Sequence, residues 1–409
     1  MSIILGVLGG TAGSLLMALV DHGQEWVFID LPRAWGLAAA PWWWVLLMLL
    51  ASAALVAVIR RLPGATGTGP LTGFHFDDPL IIVPSVLLAA LATLILGISL
   101  GPEAPLIVLG SAIGAIVGRR ADPQARKALM LLGGVAAIGA VFGNPFISAF
   151  MILEFAAVGM VPAMLITPVL VALGASYVTQ IGIGNIQGFG VHSLSVPGLP
   201  AYTSIQGRDL LVAVVIAIVA GAVAMAAREG GLAFARFAGR RAIAGLFTAA
   251  LITAAVAIIA TSGFDVGLNQ ILFSGNSGMG DLITQTSITA VIVILVGKAI
   301  VYAVALGGGF RGGPIFPATF LGVAVAVLAT LLLPEDSVSA MAAAGIAASA
   351  AAMLKLPATS ALLGAVLVAG AGAAIAPFAI IGATVGFLIR IVVDRKVTVP
   401  ESAGEPATT

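Results

Sequence analysis

Glu103 is the residue whose type and surroundings most directly suggest chemistry. It lies in the cluster Gly101-Pro102-Glu103-Ala104-Pro105, within a largely apolar stretch of sequence. A carboxylate inside a membrane segment is costly and usually marks the pathway of an ion or a proton. The sequence therefore predicts that Glu103 lies on such a pathway. The alternative is an acid in the first turn of a helix that only suits the positive end of the helix dipole.

A second cluster, Gly313-Pro314-Ile315-Phe316-Pro317, occupies the equivalent place in the second half of the chain, 212 positions later. The same shift aligns further Gly, Pro and Ser residues: Gly110 with Gly322, Gly133 with Gly345, Pro145 with Pro357, and Ser148 with Ser360. Paired Gly/Pro interruptions in corresponding halves of a membrane protein are the best sequence pointer to a substrate site.

The two clusters also predict where helices begin. Proline is tolerated in the first turn of a helix, so Pro102, Pro105, Pro314 and Pro317 mark helix starts. A third start is expected at Gly64–Pro70, with a counterpart at Gly278-Met279-Gly280. A helix start inside a membrane exposes free N–H groups and a partial positive charge, which together favour an anion.

The composition predicts an all-α polytopic membrane protein. Of 409 residues, 60% are hydrophobic and 9% charged, and the mean hydropathy is +1.17. A water-facing surface normally needs about 25% charged residues. We expect about fourteen helical pieces, the long ones near the roughly 20 residues that span a bilayer and others re-entrant. The predicted spans include Ile3–Leu19, Pro79–Leu100, Asp209–Ala227, Ala242–Ala260 and Ser287–Leu306, whereas Leu106–Val117 and Ala318–Leu333 look too short to cross alone.

The repeat divides the chain into residues 1–200 and 201–394, followed by a short polar tail at 395–409. About seven helical pieces in the first half give an odd number of crossings, which favours an inverted-topology repeat. We expect a multi-pass protein of the cell membrane, with the lipid bilayer as its surroundings.

At these clusters the chain resembles the CLC family of chloride channels and chloride/proton antiporters. The motifs of that family, G-S-G-I-P, G-R-E-G-P and G-G-x-F-x-P, correspond in order to Gly67–Pro70, Gly101–Pro105 and Gly312–Pro317. The segment Val141–Phe146 is similar to the next family element, A-F-N-A-P-L. The resemblance runs from the first helix to about Val393.

The resemblance implies two inverted repeats with broken helices, a homodimer with one pore per subunit, and a gate at Glu103. It also implies a set of anion-binding residues around the helix starts: Gly67, Thr68, Gly69, Gly101, Ala104, Gly313, Ile315 and Phe316. For Thr68 a turn residue is the competing interpretation, and for Ile315 and Phe316 it is packing.

The chain departs from the family at several of these positions. Thr68 replaces a serine, and Pro102 replaces the arginine of the second motif. Pro314 removes a backbone N–H, and the pore tyrosine of the family has no counterpart here. Phe155 stands where the antiporters carry their inner proton-transfer glutamate. Glu154, one residue earlier, is either a proton relay or a structural acid bonded to helix termini.

We therefore expect transport of chloride or a similar small anion, with protons as a second partner if transport is coupled. A fluoride exporter of the CLC type is the alternative, and a cation-coupled transporter of organic anions is the candidate from another class. The last is disfavoured because no cation is expected deep in the repeat core, Lys298 and Lys355 being expected to reach an interface. No catalytic, nucleotide-binding or metal-ligand pattern is present, so no enzyme, cofactor, metal or nucleic-acid partner is expected.

Overall fold

The membrane character of the chain is visible in a computed structural model that describes residues 1–64, 67, 69–186, 195–239, 241–334 and 337–397. Over these ranges the chain is helical, with no β-strand beyond one isolated bridge. Nine described helices are long and apolar enough to span a bilayer, and five shorter apolar helices accompany them. The predicted all-α polytopic fold with broken helices is confirmed.

The described part of the first half contains eight α-helices: α1 Ser2–Glu25, α2 Leu31–Ala34, α3 Trp42–Ile59, α4 Val83–Ile95, α5 Glu103–Val117, α6 Pro123–Phe142, α7 Pro145–Ala157 and α8 Ile166–Gly184. A π-helical turn, Trp26–Asp30, joins α1 to α2, so that Ser2–Ala34 is one continuous apolar element.

Among the residues that the structure describes in the second half there are nine α-helices: α9 Gly207–Ala238, α10 Ala242–Gly263, α11 Leu268–Ile271, α12 Met279–Ile283, α13 Ile288–Gly307, α14 Ile315–Leu332, α15 Val338–Leu354, α16 Pro357–Leu367 and α17 Ala376–Val397. The boundary expected at residue 200 falls between α8 and α9, and the predicted tail lies outside the described residues from position 398 onwards.

The internal repeat of the sequence reappears in the helix boundaries. A shift of 212 residues places the first residue of α5 on the first residue of α14, and the first residue of α7 on that of α16. It also places the last residues of α4 and α6 on those of α13 and α15. Such agreement follows from equivalent signals in both halves, since each of these helix ends lies within two residues of a proline, a glycine or a left-handed residue.

Matching glycine pairs hold the two central helix pairs together. In the α5–α6 contact, a Cβ atom on Gly110 would collide with the carbonyl oxygen of Gly133, and the reverse also holds. In the α14–α15 contact, Gly322 and Gly345 are related in the same way. Because lipid gives helices no hydrophobic reason to associate, close backbone approach at small residues is what packs membrane helices.

The core lies around α14 and α15. Every residue of α14 from Ile315 to Val327 is buried, and so is every residue of α15 from Ser339 to Met353. Most residues of that stretch of α15 are alanine, which lets α9, α14, α16 and α17 approach it closely. The starts of the buried helices are thereby fixed within protein, where broken backbone is tolerated at membrane depth.

Three expectations about helices are wrong. Pro70 begins no helix: Thr72 N bonds to Gly69 O in a turn, Gly73 takes φ +85°, and helical structure resumes only at Leu80. The apolar run Pro79–Leu100 is not one span, because α4 ends at Ile95 and Gly97 takes φ +98°. The expectation that Ala318–Leu333 is too short to cross the membrane alone is also wrong, because α14 is long enough to span it. The predicted starts near Pro102, Pro314 and Met279 are confirmed.

Gly345→Ala tests the glycine contact between α14 and α15. The added methyl group has no room against Gly322, so the helices must separate, at a cost of about 2 kcal/mol. The matched control is Gly174→Ala on α8, where a Cβ atom meets nothing within 4 Å. We expect the melting temperature of the purified protein to fall for Gly345→Ala and to stay at the wild-type value for Gly174→Ala. Equal melting temperatures for the two variants would contradict the packing account.

Candidate anion site at the start of two broken helices

The two Gly/Pro clusters meet in space. Gly101 N donates to Gly313 O at 2.8 Å, and Gly313 N donates to Gly101 O at 2.5 Å, in an antiparallel bridge. These two residues are equivalent in the repeat, so their reciprocal bonds require a local two-fold axis between them. The starts of α5 and α14, each two residues further on, therefore lie on either side of one point.

The carboxylate of Glu103 occupies the start of α14. Its Oε1 accepts hydrogen bonds from Ile315 N at 2.9 Å and from Phe316 N at 3.0 Å. The side chain is fully buried, and Oε2 has no hydrogen-bond partner among the described residues. Free N–H groups at the positive end of a buried helix attract negative charge. The Glu103 carboxylate therefore takes up the first two free N–H groups of α14.

Glycine is required at positions 101 and 313 for this arrangement. A Cβ atom on either residue would collide with the Glu103 carboxylate, most closely with Oε2. The carboxylate thus lies directly over the paired glycine backbones. This explains why both repeats carry glycine at this position, although only the first repeat carries the acid.

Two aromatic residues support the start of α14. The Phe316 ring stacks on Phe142 at the end of α6, with 6.4 Å between ring centroids. The hydroxyl of Tyr302, which is fully buried on α13, donates to Pro314 O at 2.6 Å. Sequence reasoning assigned Tyr302 no role. The only signal available was a polar group in an apolar helix one turn after Lys298.

Arg311 connects the first motif to the third. Its Nη2 donates to Gly67 O at 3.1 Å, and its Nη1 lies 3.7 Å from the place of a Cβ atom on Gly69. The predicted ligand Thr68 lies outside the described residues. Arg311 is only 9% exposed. Gly67 and Gly69 therefore adjoin the third motif through the buried guanidinium of Arg311.

Lys298 corrects the expectation that the core contains no cation. It is fully buried, not at an interface, and its Nζ donates to the carbonyls of Ile271, Leu272 and Phe273 at 3.1, 2.8 and 2.9 Å. These carbonyls lie where α11 ends, and a helix end inside the membrane must find donors within the protein. The lack of a buried cation therefore no longer disfavours an organic-anion transporter. Lys355, in contrast, is exposed and pairs with Asp394 at 3.2 Å.

Glu154 contacts the second repeat at the start of α16. Its Oε1 accepts from Ala358 N at 2.8 Å, and its Oε2 accepts from Thr359 N at 2.8 Å and from the Thr359 hydroxyl. Both carboxylate oxygens thereby satisfy N–H groups that the helix itself leaves free. This geometry is the one expected of a structural acid bonded to a helix terminus. The role of proton relay stays a prediction.

Phe155 points into a surface pocket of about 750 Å³. Its ring meets Phe76 edge to face, with centroids 6.3 Å apart, and an exposed ion pair, Lys127–Asp77, lies at the same pocket. A phenyl ring offers neither a donor nor an acceptor for a proton.

Comparison with known proteins gives a consistent picture. The family model described as "Voltage gated chloride channel" matches residues 69–390. Two curated relatives, both named "Putative ion-transport protein YfeO" and from Salmonella paratyphi A and Salmonella typhimurium, are 28% identical over 152 residues. That match covers 36% of this chain and 37% of each relative, so the chain aligns with little more than a third of their length.

Three solved structures share the fold. The chain matches a slow cyanobacterial Cl−/H+ antiporter with TM-score 0.77 at 18% identity, covering 96% of this chain and 93% of the other. It matches a CLC-type fluoride/proton antiporter with TM-score 0.72 at 18% identity, covering 95% and 94%. A eukaryotic CLC transporter follows with TM-score 0.67 at 13% identity, covering 96% and 71%.

Gly313→Ala tests whether the carboxylate lies over the paired glycines. The methyl group takes the place of Oε2, so we expect a clear loss of melting temperature in wild-type background. In a Glu103→Ala background the carboxylate is gone, and the same substitution should cost much less. A penalty of equal size in both backgrounds would show that the Glu103 carboxylate does not occupy this place.

Proposed function

The chain belongs to the voltage-gated chloride channel family, and from that premise we propose that it transports chloride or a similar small anion through a path gated by Glu103. One observation carries the proposal. The Glu103 carboxylate accepts hydrogen bonds from Ile315 N and Phe316 N at the start of a buried helix. A carboxylate and a small anion would both accept hydrogen bonds from these N–H groups, so only one of them can occupy the start of α14 at a time.

Competition between the carboxylate and the anion provides the gate. While Glu103 is ionised, it neutralises the positive end of α14 and closes the path. Protonation weakens its hold on the two N–H groups, and a high anion concentration displaces it by mass action. The N–H groups then replace part of the hydration shell of the anion. Gly101 and Gly313 leave the room that the carboxylate or the anion needs.

The size of the space beside the gate favours a small anion. A cavity of about 30 Å³ is lined in part by Arg311 and by Ala104 and Gly312, which neighbour Glu103 and Gly313 in the sequence. This volume holds one or two particles of the size of water. An organic anion does not fit there, although buried cations are present. Fluoride fits as well as chloride, so the flux measurement must distinguish a fluoride exporter from a chloride transporter.

In this proposal, anion transport is coupled to protons weakly or not at all. The ring of Phe155 replaces the inner proton-transfer position of the antiporters that the chain resembles. Both oxygens of Glu154 are held by α16. Neighbouring positions on a helix point about 100° apart, so Glu154 does not simply take over from Phe155. We therefore propose channel-like or slipping transport. The homodimer and the repeat boundaries at 200 and 394 stay predictions.

Flux from loaded liposomes tests the function itself. Purified protein should release chloride or fluoride faster than empty vesicles do, and it should not release a bulky carboxylate such as gluconate. Release of gluconate, or of no anion at all, would overturn the proposal. The ratio of chloride to fluoride flux decides between the two small-anion alternatives.

Glu103→Gln tests the gate. The neutral amide resembles the protonated acid and no longer competes electrostatically for the start of α14. We expect wild-type flux to rise on acidification. The flux of Glu103→Gln should be as fast as that of wild type or faster, and it should lack this rise. Asp281→Gln, which neutralises an exposed acid on α12, is the control and should keep the wild-type pH response. If a well-folded Glu103→Gln variant keeps the pH response, Glu103 is only an acid in the first turn of α5 and not the gate.

Proton pumping driven by a chloride gradient tests the coupling. With no relay from Phe155, we expect little uphill proton movement by wild type and no further loss in Glu154→Gln. Tight pumping at a fixed anion-to-proton ratio that disappears in Glu154→Gln would contradict this and make Glu154 the relay.

A further inference from the structure

A group of charged side chains comes together where three apolar helix segments end. Leu210–Ala227 of α9, Val338–Leu354 of α15 and Ala376–Ile389 of α17 contain no charged residue. Directly beyond these segments lies a surface pocket of about 490 Å³, whose described lining includes four cations and two acids: Arg228, Arg236, Lys355, Arg395, Glu229 and Asp394. We call this space the cationic pocket. Its place at the end of three apolar segments puts it at the boundary between the bilayer core and water.

The floor of the cationic pocket is a fixed structure. Arg390 Nη1 donates to two carbonyls in the last turn of α15 at 2.9 and 3.0 Å, which a helix end leaves free. Arg390 Nε donates to both oxygens of Asp394 at 3.0 Å. Lys355 Nζ donates to the same carboxylate at 3.2 Å, and Arg228 Nη1 lies 3.9 Å from it. Because three cations share this one carboxylate, the pocket keeps a positive charge.

An apolar groove leads along α9 and α17 towards the cationic pocket. Its described lining is entirely aliphatic: Ile218, Val385, Leu388, Ile389, Val392 and Val393. The two helices run in the same direction here, because a Cβ atom on Gly221 would meet Ile389 and Gly386, whereas Arg228, further along α9, approaches Asp394, further along α17. The ten-residue step from Ile218 to Arg228 is about 15 Å along the helix axis.

The groove and the pocket differ in what they can bind alone. A free anion would use the cations and leave the groove empty, and an uncharged lipid chain would use the groove and leave the cations without a partner. An anionic phospholipid uses both, since Lys and Arg bind phosphate and basic pockets between membrane helices bind lipid head groups.

A second copy of the chain is the competing occupant of the groove. Ile218, Leu388 and Val392 are each about half exposed, at 49, 54 and 54%, so a partner helix could cover them. In a two-fold dimer whose axis runs along the bilayer normal, a contact through this groove would bring two cationic pockets to the same depth. Like charges that face each other oppose such a contact, whereas they favour an anionic lipid.

We propose that the groove and the cationic pocket together form a binding site for one anionic phospholipid. The phosphate group lies among Arg228, Arg236 and Lys355, and one acyl chain lies in the groove along Ile218 and Leu388. A lipid held in this way connects α9 and α17 to the end of the buried helix α15. It stabilises the fold from the membrane boundary, whichever ion the protein transports.

Lipid titration of delipidated protein tests the site. The purified protein in neutral detergent is titrated with dioleoyl phosphatidylglycerol, with dioleoyl phosphatidylcholine and with inorganic phosphate, and native mass spectrometry counts the bound molecules. We expect one phosphatidylglycerol per chain, together with a rise in melting temperature. Phosphatidylcholine has the same chains without the net charge, and phosphate has the charge without chains, so each should bind at least about tenfold more weakly.

The double variant Arg236→Gln and Lys355→Gln removes two cations from the pocket and leaves Arg390 in place. Its affinity for phosphatidylglycerol should fall about tenfold or more. The control is the double variant Arg119→Gln and Arg120→Gln, which removes two exposed cations beyond the end of α5. The control should change the affinity less than about twofold, because a general attraction between a basic protein and an anionic lipid is screened by salt. Equal affinities in the two double variants would overturn the proposal.

Ile218→Trp tests the groove, since the larger ring fills the space of the acyl chain. Its control is Leu211→Trp, which adds the same ring to α9 at a position outside the groove lining that is 73% exposed. Phosphatidylglycerol should bind more weakly to Ile218→Trp and as in wild type to Leu211→Trp. Phosphate that binds as tightly as the lipid would show a free-anion site instead. Unchanged lipid binding by Ile218→Trp, with a loss of dimer, would show that the groove is an interface between copies; either result would overturn the proposal.

Discussion

The bond between the Glu103 carboxylate and the first N–H groups of α14 is the interaction on which the site depends. It joins the acid of one repeat to the helix start of the other, across the reciprocal bridge of Gly101 and Gly313. Only the first repeat carries this carboxylate, so the local two-fold symmetry of the two helix starts does not extend to their side chains. In the proposed function, the start of α14 therefore has two competing occupants, the Glu103 carboxylate and a small anion.

The broken helices explain what several buried polar side chains of this apolar chain do. Backbone groups freed at membrane depth must be satisfied within the protein. Lys298 bonds the carbonyls where α11 ends, Tyr302 bonds Pro314 O, and Glu154 bonds the N–H groups that start α16. Each of these side chains comes from a different element than the break it serves. The same contacts therefore fix where these helices begin and end.

Local signals predicted much of this arrangement. The 212-residue offset, the helix starts at Pro102 and Pro314 and the importance of Glu103 all follow from Gly, Pro and acid placement, which act within a few residues. The partners of Lys298, Arg311 and Glu154 did not follow, because each bonds backbone that is 25 to 244 positions away. Pro70 was misread for a similar reason: its motif fits a helix start, but Gly73 at φ +85° and the polar stretch after it turn the chain away.

The most direct test is to locate a heavy halide in Glu103→Gln by anomalous diffraction from crystals grown in bromide. With the charge of the gate removed, a bromide peak is expected within hydrogen-bonding distance of Ile315 N and Phe316 N, where the wild-type carboxylate lies. A structure of Glu103→Gln in which those two N–H groups keep a side-chain partner, while bromide binds only elsewhere, would contradict competition between Glu103 and the anion.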